Sequence, residues 1–305
     1  MTITIKYRLG VYMKQDCGYK INSAIPTVFN RNQEINWDET AGIVEFLQKI
    51  NIMDISILLF GGEHYRLSLE EKRKQIELIT GVANRNQQVF VGMSDVSLDS
   101  TIKLEREAGR YGATAGIISM PSSIPFYNIR RNLIKHFLSR VFENSEIPLI
   151  FQDTGIDENI LPEPEFWRKY IENGKLIGFK IEGRRSLIKM KTLHAIYEDV
   201  DIYGGYLGIN MGNEIRAGST GGIIGSSVPD KIRETILNLR SGEIKEEVLK
   251  LLKFEVAHLY AFTSLEKYLL MKRGIISEYK CRCPCPPVSS ILLKRMDAFY
   301  NNIFE

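Results

Sequence analysis

A lysine closes the apolar run Leu176-Ile177-Gly178-Phe179-Lys180, and a carboxylate, Glu182, follows two residues later. A run of this length after a turn signal, here Asn173-Gly174, reads as a buried strand. Alternate side chains on a strand share a face, so Leu176, Gly178 and Lys180 are expected on one side and Ile177 and Phe179 on the other. An ammonium is costly to bury, which makes a lysine at such a place unusual. Two readings compete. Lys180 can reach solvent or pair with Glu182, or it can be an amine kept ready to attack a carbonyl carbon and form a Schiff base. Gln152 ends a second apolar run, Pro148–Gln152, and shares a face with Ile150. If that face points inward, Gln152 lies beside Lys180, and Gly178 leaves room beneath the amine.

The other polar candidates each carry a plainer alternative. Gly61, Gly62, Glu63 and His64 follow an apolar run from Met53 to Phe60. Glu63 is either a carboxylate of the site or an acceptor for backbone amides at the next helix start. His64 stands at a strand end and can serve as acid or base, whereas His136, His194 and His258 fall in helical stretches and read as structural. Tyr65 beside it adds a hydroxyl. Glu182 is a partner for Lys180 or a loop-holding acceptor. Gly204-Gly205-Tyr206-Leu207-Gly208 can cradle a carboxylate through backbone amides, or be a plain strand-to-loop turn. Glu214 and Arg216 can reach a substrate or pair with each other.

These residues sit on a regular alternation. Strands are expected at 21–28, 53–60, 88–93, 114–120, 148–152, 176–180, 200–205 and 221–225. Helices are expected at 38–50, 68–84, 97–111, 127–142, 164–171, 185–197, 212–216 and 229–239. Asn36 or Asp38 caps the first helix, Ser68 with Glu71 forms a capping box, and Gly112 ends the third. Strict βα alternation implies a parallel sheet, and eight units imply a closed (β/α)8 TIM barrel whose site lies at the C-terminal strand ends. Residues 1–20 read as an N-terminal arm, 21–240 as the barrel, and 241–305 as a C-terminal helical extension packed outside the barrel or against a partner chain.

The 305 residues carry a formal net charge of +3 with the basic residues dispersed. That gives no case for nucleic acid or an anionic membrane. No apolar run approaches a membrane span, and the N-terminus lacks the pattern of a signal peptide, so a cytoplasmic location is expected. Cys17 stands apart from Cys281, Cys283 and Cys285, whose C-x-C-x-C spacing lacks a fourth ligand, so reduced structural thiols are expected. No metal site, dinucleotide fingerprint or P-loop is read, and no cofactor is expected.

Several short motifs, in order, resemble the dihydrodipicolinate synthase and N-acetylneuraminate lyase superfamily of class I pyruvate aldolases and dehydratases. Ala24-Ile-Pro-Thr-Val-Phe29 is similar to its first-strand A-x-x-T-P-F element, with the proline displaced. Gly62-Glu63, Leu67-Ser68 and Glu70-Glu71 resemble its G-T-T-G-E-x-x-x-L-S-x-E-E block. Gly178-Phe179-Lys180 resembles the G-x-K strand that carries the Schiff-base lysine, and Gly218–Gly221 the G-A-x-G segment before the last strand. Lys272-Arg-Gly274 and Arg282-Cys-Pro284 resemble tail elements.

The departures are chemical. Gln152 stands where the family places a proton-relaying tyrosine, and an amide cannot act as a general acid or base near neutral pH. Phe60 and Gly61 replace paired threonines, Ser122 and Ser123 replace an aromatic pair, and Asp157 stands where the synthase has a carboxylate-binding arginine. The resemblance thus implies a Schiff-base lyase, aldolase or dehydratase, acting on pyruvate or a 2-oxo or 3-deoxy sugar acid through Lys180. Dihydrodipicolinate synthesis is not expected. Gln152 and His64 are the remaining catalytic candidates, with a Gln152-held water or His64 carrying the proton. Gly61, Gly62, Glu63, Ser123, Glu182 and Gly205 are the expected substrate-binding set. A homo-oligomer, tetramer or dimer, is implied. The alternative is a catalytically degenerate member that binds a 2-oxo or sugar acid as a sensor.

Overall fold

The computed structural model describes residues 18–120, 130–156, 161–197, 199–241 and 245–305. Eight parallel strands close on themselves in chain order: β1 (Lys20–Ala24), β2 (Asp54–Ile57), β3 (Gln88–Gly92), β4 (Ala115–Ile118), β5 (Leu149–Asp153), β6 (Leu176–Ile181), β7 (Asp201–Gly204) and β8 (Gly221–Gly225). Each is followed by a helix: α1 (Trp37–Lys49), α2 (Leu69–Val82), α3 (Leu98–Arg110), α4 (Arg131–Asn144), α5 (Pro164–Glu172), α6 (Ser186–Ile196), α7 (Met211–Arg216) and α8 (Pro229–Ser241). Three more complete the chain: α9 (Glu246–Ala257), α10 (Phe262–Lys272) and α11 (Ser290–Phe304). The expected (β/α)8 TIM barrel is the observed fold.

Local chemistry sets the element ends. The Asn36 side chain accepts from the Glu39 amide and starts α1. Ser68 and Glu71 form the reciprocal capping box of α2. Gly112, at φ +81°, takes the left-handed conformation that ends α3. β1 stops at Ala24 rather than Val28, because Pro26 has no amide to donate to the ladder. It also starts at Lys20, so the expected arm loses its last residue to the barrel, and residues 1–17 lie outside those described.

The alternation expected along β6 breaks near its start. The pairing with β5 shifts between Leu149 and Ile150, placing Leu176 opposite Leu149 but Gly178 opposite Ile150. The extra residue is a bulge. Leu176 therefore packs in the outer core with Phe179, and Ile177 lies against the lumen cluster of Phe90, Ala115, Ile117, Ile150, Tyr203 and Ile223. Above the bulge the register is regular: Gln152 pairs with Lys180, and Lys180 with Tyr203. At the other end of the lumen, Lys20 binds Asp201 at 2.6 Å beside Asp54.

The tail is tied to the barrel by one fully buried and two partly buried charge pairs. Lys267 on α10 binds Glu63, with both side chains fully buried. Arg273 meets Asp230 through two bonds of 2.9 Å. Arg282 meets Glu71, the capping-box carboxylate, at 2.8 and 2.7 Å. No helix among the described residues is long and apolar enough to cross a membrane.

Candidate active site

A cavity of about 350 Å³ opens at the C-terminal ends of the strands. Lys180 and Gln152, neighbours in the register of β5 and β6, both line it, as do Gly61, Thr154 and Glu182. The Lys180 side chain is 8% exposed, and its Nζ lies 3.3 Å from Glu182 Oε2. Gln152 Nε2 donates to that same oxygen at 2.6 Å, and the Tyr206 amide donates to Glu182 Oε1 at 3.2 Å. Glu182 is thus both a partner for Lys180 and a loop-holding acceptor. Burial pushes its carboxyl upward, but Lys180, Gln152 and the Tyr206 amide outweigh burial and leave it below its ordinary value.

The end of β7 makes room for this carboxylate. A Cβ at Gly205 would stand 1.9 Å from Glu182 Oε1. A Cβ at the adjacent Gly204 would stand 1.9 Å from Glu214 Oε2. Twin glycines therefore admit two carboxyl groups, one on each side of the strand end. Burial, with the Glu182 charge nearby, pushes the Glu214 carboxyl up to about 7. Glu214 does not pair with Arg216, whose guanidinium binds Asn213 at 2.6 Å.

Four expected site residues, Gly62, Glu63, His64 and Gly205, are not among the residues lining the cavity. Glu63 is fully buried; Lys267 and Arg66 (2.7 Å) bind its oxygens, and the Arg282 amide donates to it at 3.1 Å. It is a tether for the tail and does not line the cavity. Its backbone at φ 57° sits between two 3-10 turns, Phe60–Gly62 and His64–Arg66, which carry His64 away from Lys180. His64 faces the Lys72–Asp95 pair, and burial lowers it to about 4, with Lys72 adding to the effect. It is neutral near pH 7 and is not among the residues lining the cavity. Gly62 is buried, and its carbonyl accepts from Thr27 at 2.7 Å. Asp153 points away from the cavity, holding Lys189 at 2.5 Å and the amides of Gly155 and Ile156. Ser122, Ser123 and Asp157 lie outside the described residues.

α9 and α10 of the tail, expected to pack outside the barrel or against a partner, wall the cavity at the strand ends. Val256, Leu259, Phe262, Thr263 and Glu266 all line it. Glu266 is buried and accepts from the Ser227 hydroxyl at 2.8 Å and amide at 3.2 Å. Burial raises its carboxyl. Glu255 lies fully buried near it, raised further by burial and by the Glu266 charge. The signal for these residues was available as isolated acids within apolar helical stretches. Of the three described cysteines, Cys281 is buried, its thiol pushed up to about 12 by burial, and it contacts the Ser264 hydroxyl at 3.2 Å.

A family model for the dihydrodipicolinate synthetase family matches residues 19–300. The chain is 24% identical over 233 residues to a 4-hydroxy-tetrahydrodipicolinate synthase of Endomicrobium trichonymphae, covering 75% of this chain and 77% of that protein. It is 22% identical over 303 residues to N-acetylneuraminate lyase 2 of Escherichia coli O6:H1, covering 95% and 96%. Among solved structures, a dihydrodipicolinate synthase from Rhodopseudomonas palustris superposes with a TM-score of 0.82 at 20% identity, covering 93% of this chain and 97% of that one.

Proposed function

The chain belongs to the dihydrodipicolinate synthetase family, and from that premise we propose that it is a Schiff-base-forming lyase, aldolase or dehydratase, that acts on pyruvate or a related 2-oxo acid through Lys180. The observation that carries this is the buried amine of Lys180 in the cavity at the strand ends, 3.3 Å from a carboxylate that Gln152 and a backbone amide hold in place. A lysine so placed serves no apolar packing, and its position at a strand end above the lumen suits attack on a carbonyl.

Glu182 takes the part that the missing tyrosine leaves open. It accepts a proton from the Lys180 ammonium, and the freed amine attacks the keto carbon. Glu182 then returns the proton to the carbinolamine hydroxyl, which leaves as water. The resulting protonated imine draws electrons from the bond at C3, easing carbon–carbon cleavage or loss of water. Gln152 transfers no proton; its amide orients the Glu182 carboxylate through the 2.6 Å bond. Gly61 offers close backbone approach for the keto acid's carboxylate. Dihydrodipicolinate synthesis is not part of the proposal: among the described residues lining the cavity, Lys180 is the one cation, and none is left for the carboxylate of aspartate semialdehyde. A homo-oligomer, dimer or tetramer, is the proposed assembly, closed symmetry being the common arrangement.

Pyruvate with borohydride, read by intact mass and peptide mapping, tests the reading. A single reduced adduct on Lys180, lost in Lys180→Ala, is expected. Label spread evenly over surface lysines, or none at all, rejects it.

A further inference from the structure

We propose that the second half of the substrate, the part released as an aldehyde, is nonpolar and about the size of a phenyl ring, rather than polyhydroxylated, phosphorylated or acidic. The proposal deepens the Schiff-base reading and rests on it. Among the described residues that line the cavity, most of the wall beyond Lys180 and Glu182 is hydrocarbon: Leu59 and Phe60 from the end of β2, Ile223 from β8, and Val256, Leu259 and Phe262 from the tail, with Gln152, Thr154, Thr263 and Glu266 as the polar exceptions. Phe60 and Phe262 stack with ring centres 5.8 Å apart and planes 9° from parallel, a flat apolar surface at the rim. Most sugar hydroxyls set against such a wall lose water for hydrocarbon, since Thr154 and Thr263 are the two lining hydroxyls beside it apart from Tyr206 at the rim among the described residues. A phosphate or second carboxylate would meet Glu182 and Glu266, the two carboxyl groups lining the cavity among the described residues, with Lys180 already engaged by the keto acid.

Size agrees. An apolar cavity of about 150 Å³ holds benzene. A cavity of about 350 Å³ therefore takes a ring beside a three-carbon acid.

The step balances without an oxidant. The substrate is R–CH(OH)–CH2–CO–COO⁻, with R nonpolar. Lys180 forms the imine at C2 and one water leaves. The hydroxyl proton passes to Glu182, the C3–C4 pair moves onto C3 to give the enamine, and R–CHO departs. Glu182 gives that proton back to the enamine at C3, and water hydrolyses the imine to pyruvate and free Lys180.

The test runs the reaction in the synthetic direction, with pyruvate and benzaldehyde or hexanal against D-glyceraldehyde, its 3-phosphate and aspartate semialdehyde. A kcat/KM for benzaldehyde about 100-fold above that for D-glyceraldehyde is expected. Phe60→Ser and Leu259→Ser alter positions that are 59% and 51% exposed, so folding is not at risk. Each is expected to cut the preference to about 10-fold. Equal or better use of the polar aldehydes, or a Lys180 adduct with no nonpolar aldehyde consumed, overturns this inference and leaves the Schiff-base reading standing. Absence of any Lys180 adduct overturns both.

Discussion

Glu182 contacts Lys180, Gln152 and the Tyr206 amide at once, and these neighbours make its proposed role separable. It faces Lys180 at 3.3 Å, accepts from Gln152 at 2.6 Å, and fills the space that Gly205 leaves open. If it shuttles the proton, Glu182→Gln should slow adduct formation at Lys180 by about 100-fold or more, the usual worth of a positioned acid–base group. Gly205→Ala should act similarly, because its Cβ would stand 1.9 Å from Glu182 Oε1 and must push the carboxylate off the amine. Gln152→Ala should cost less, since it removes an orienting bond and not the proton carrier. Rates of borohydride-trapped adduct decide the order; an unaffected Glu182→Gln would remove Glu182 from the mechanism. Period-two alternation made the Lys180–Gln152 pairing readable from sequence, because both residues lie above the bulge. His64 was not readable. Two successive 3-10 turns, hinged at Glu63, set its direction, and no strand or helix period describes them.

At the level of elements, α10 serves two purposes at once. One face walls the cavity through Phe262, Thr263 and Glu266, and the same helix buries Lys267 against Glu63. Removing one partner of a fully buried pair leaves the other under-compensated, here with Arg66 and the Arg282 amide still bound to Glu63, so Lys267→Met should destabilise the fold by about 3 kcal/mol. The double variant Glu63→Leu with Lys267→Met should recover part of that loss, since it removes both members of this pair, while Arg66 loses its carboxylate and keeps the Pro284 carbonyl. Urea midpoints of the three variants test this, and equal loss in the single and double variants would contradict it. The Glu63 ambiguity follows from the same geometry. Its partners, Lys267 and the Arg282 amide, lie more than two hundred residues along the chain, so local sequence could not choose between a site and a tether. The capping box of α2 was local and was read correctly, but the Arg282 that shares its Glu71 was not.

Across the whole molecule, the barrel was legible because eight strand–helix units repeat one pattern, whereas the placement of buried acids depends on closure. Closure sets Asp54 beside Lys20 and Asp201 at one end of the lumen, where burial raises it to about 6. At the other end it sets Glu214 beside Glu182, where burial and that charge raise it to about 7. A carboxyl raised on folding stabilises the fold while protonated. That contribution is complete below the unfolded value, near 4.5 for Glu214, and is lost as pH rises through about 7. A shift of this size is worth about 3 kcal/mol. Glu182 has the opposite sign: its lowered value gives stability that is lost only as pH falls below the ordinary carboxylate range, outside the pH 5–8 window. Glu214→Gln keeps the shape and removes the titration. Its stability relative to the parent should therefore be similar at pH 5 and greater by up to about 3 kcal/mol at pH 8. Urea unfolding at the two pH values measures the difference. A constant difference between parent and variant would show that Glu214 does not titrate in this window, and that the space beside Gly204 holds a carboxylate that is ionised throughout.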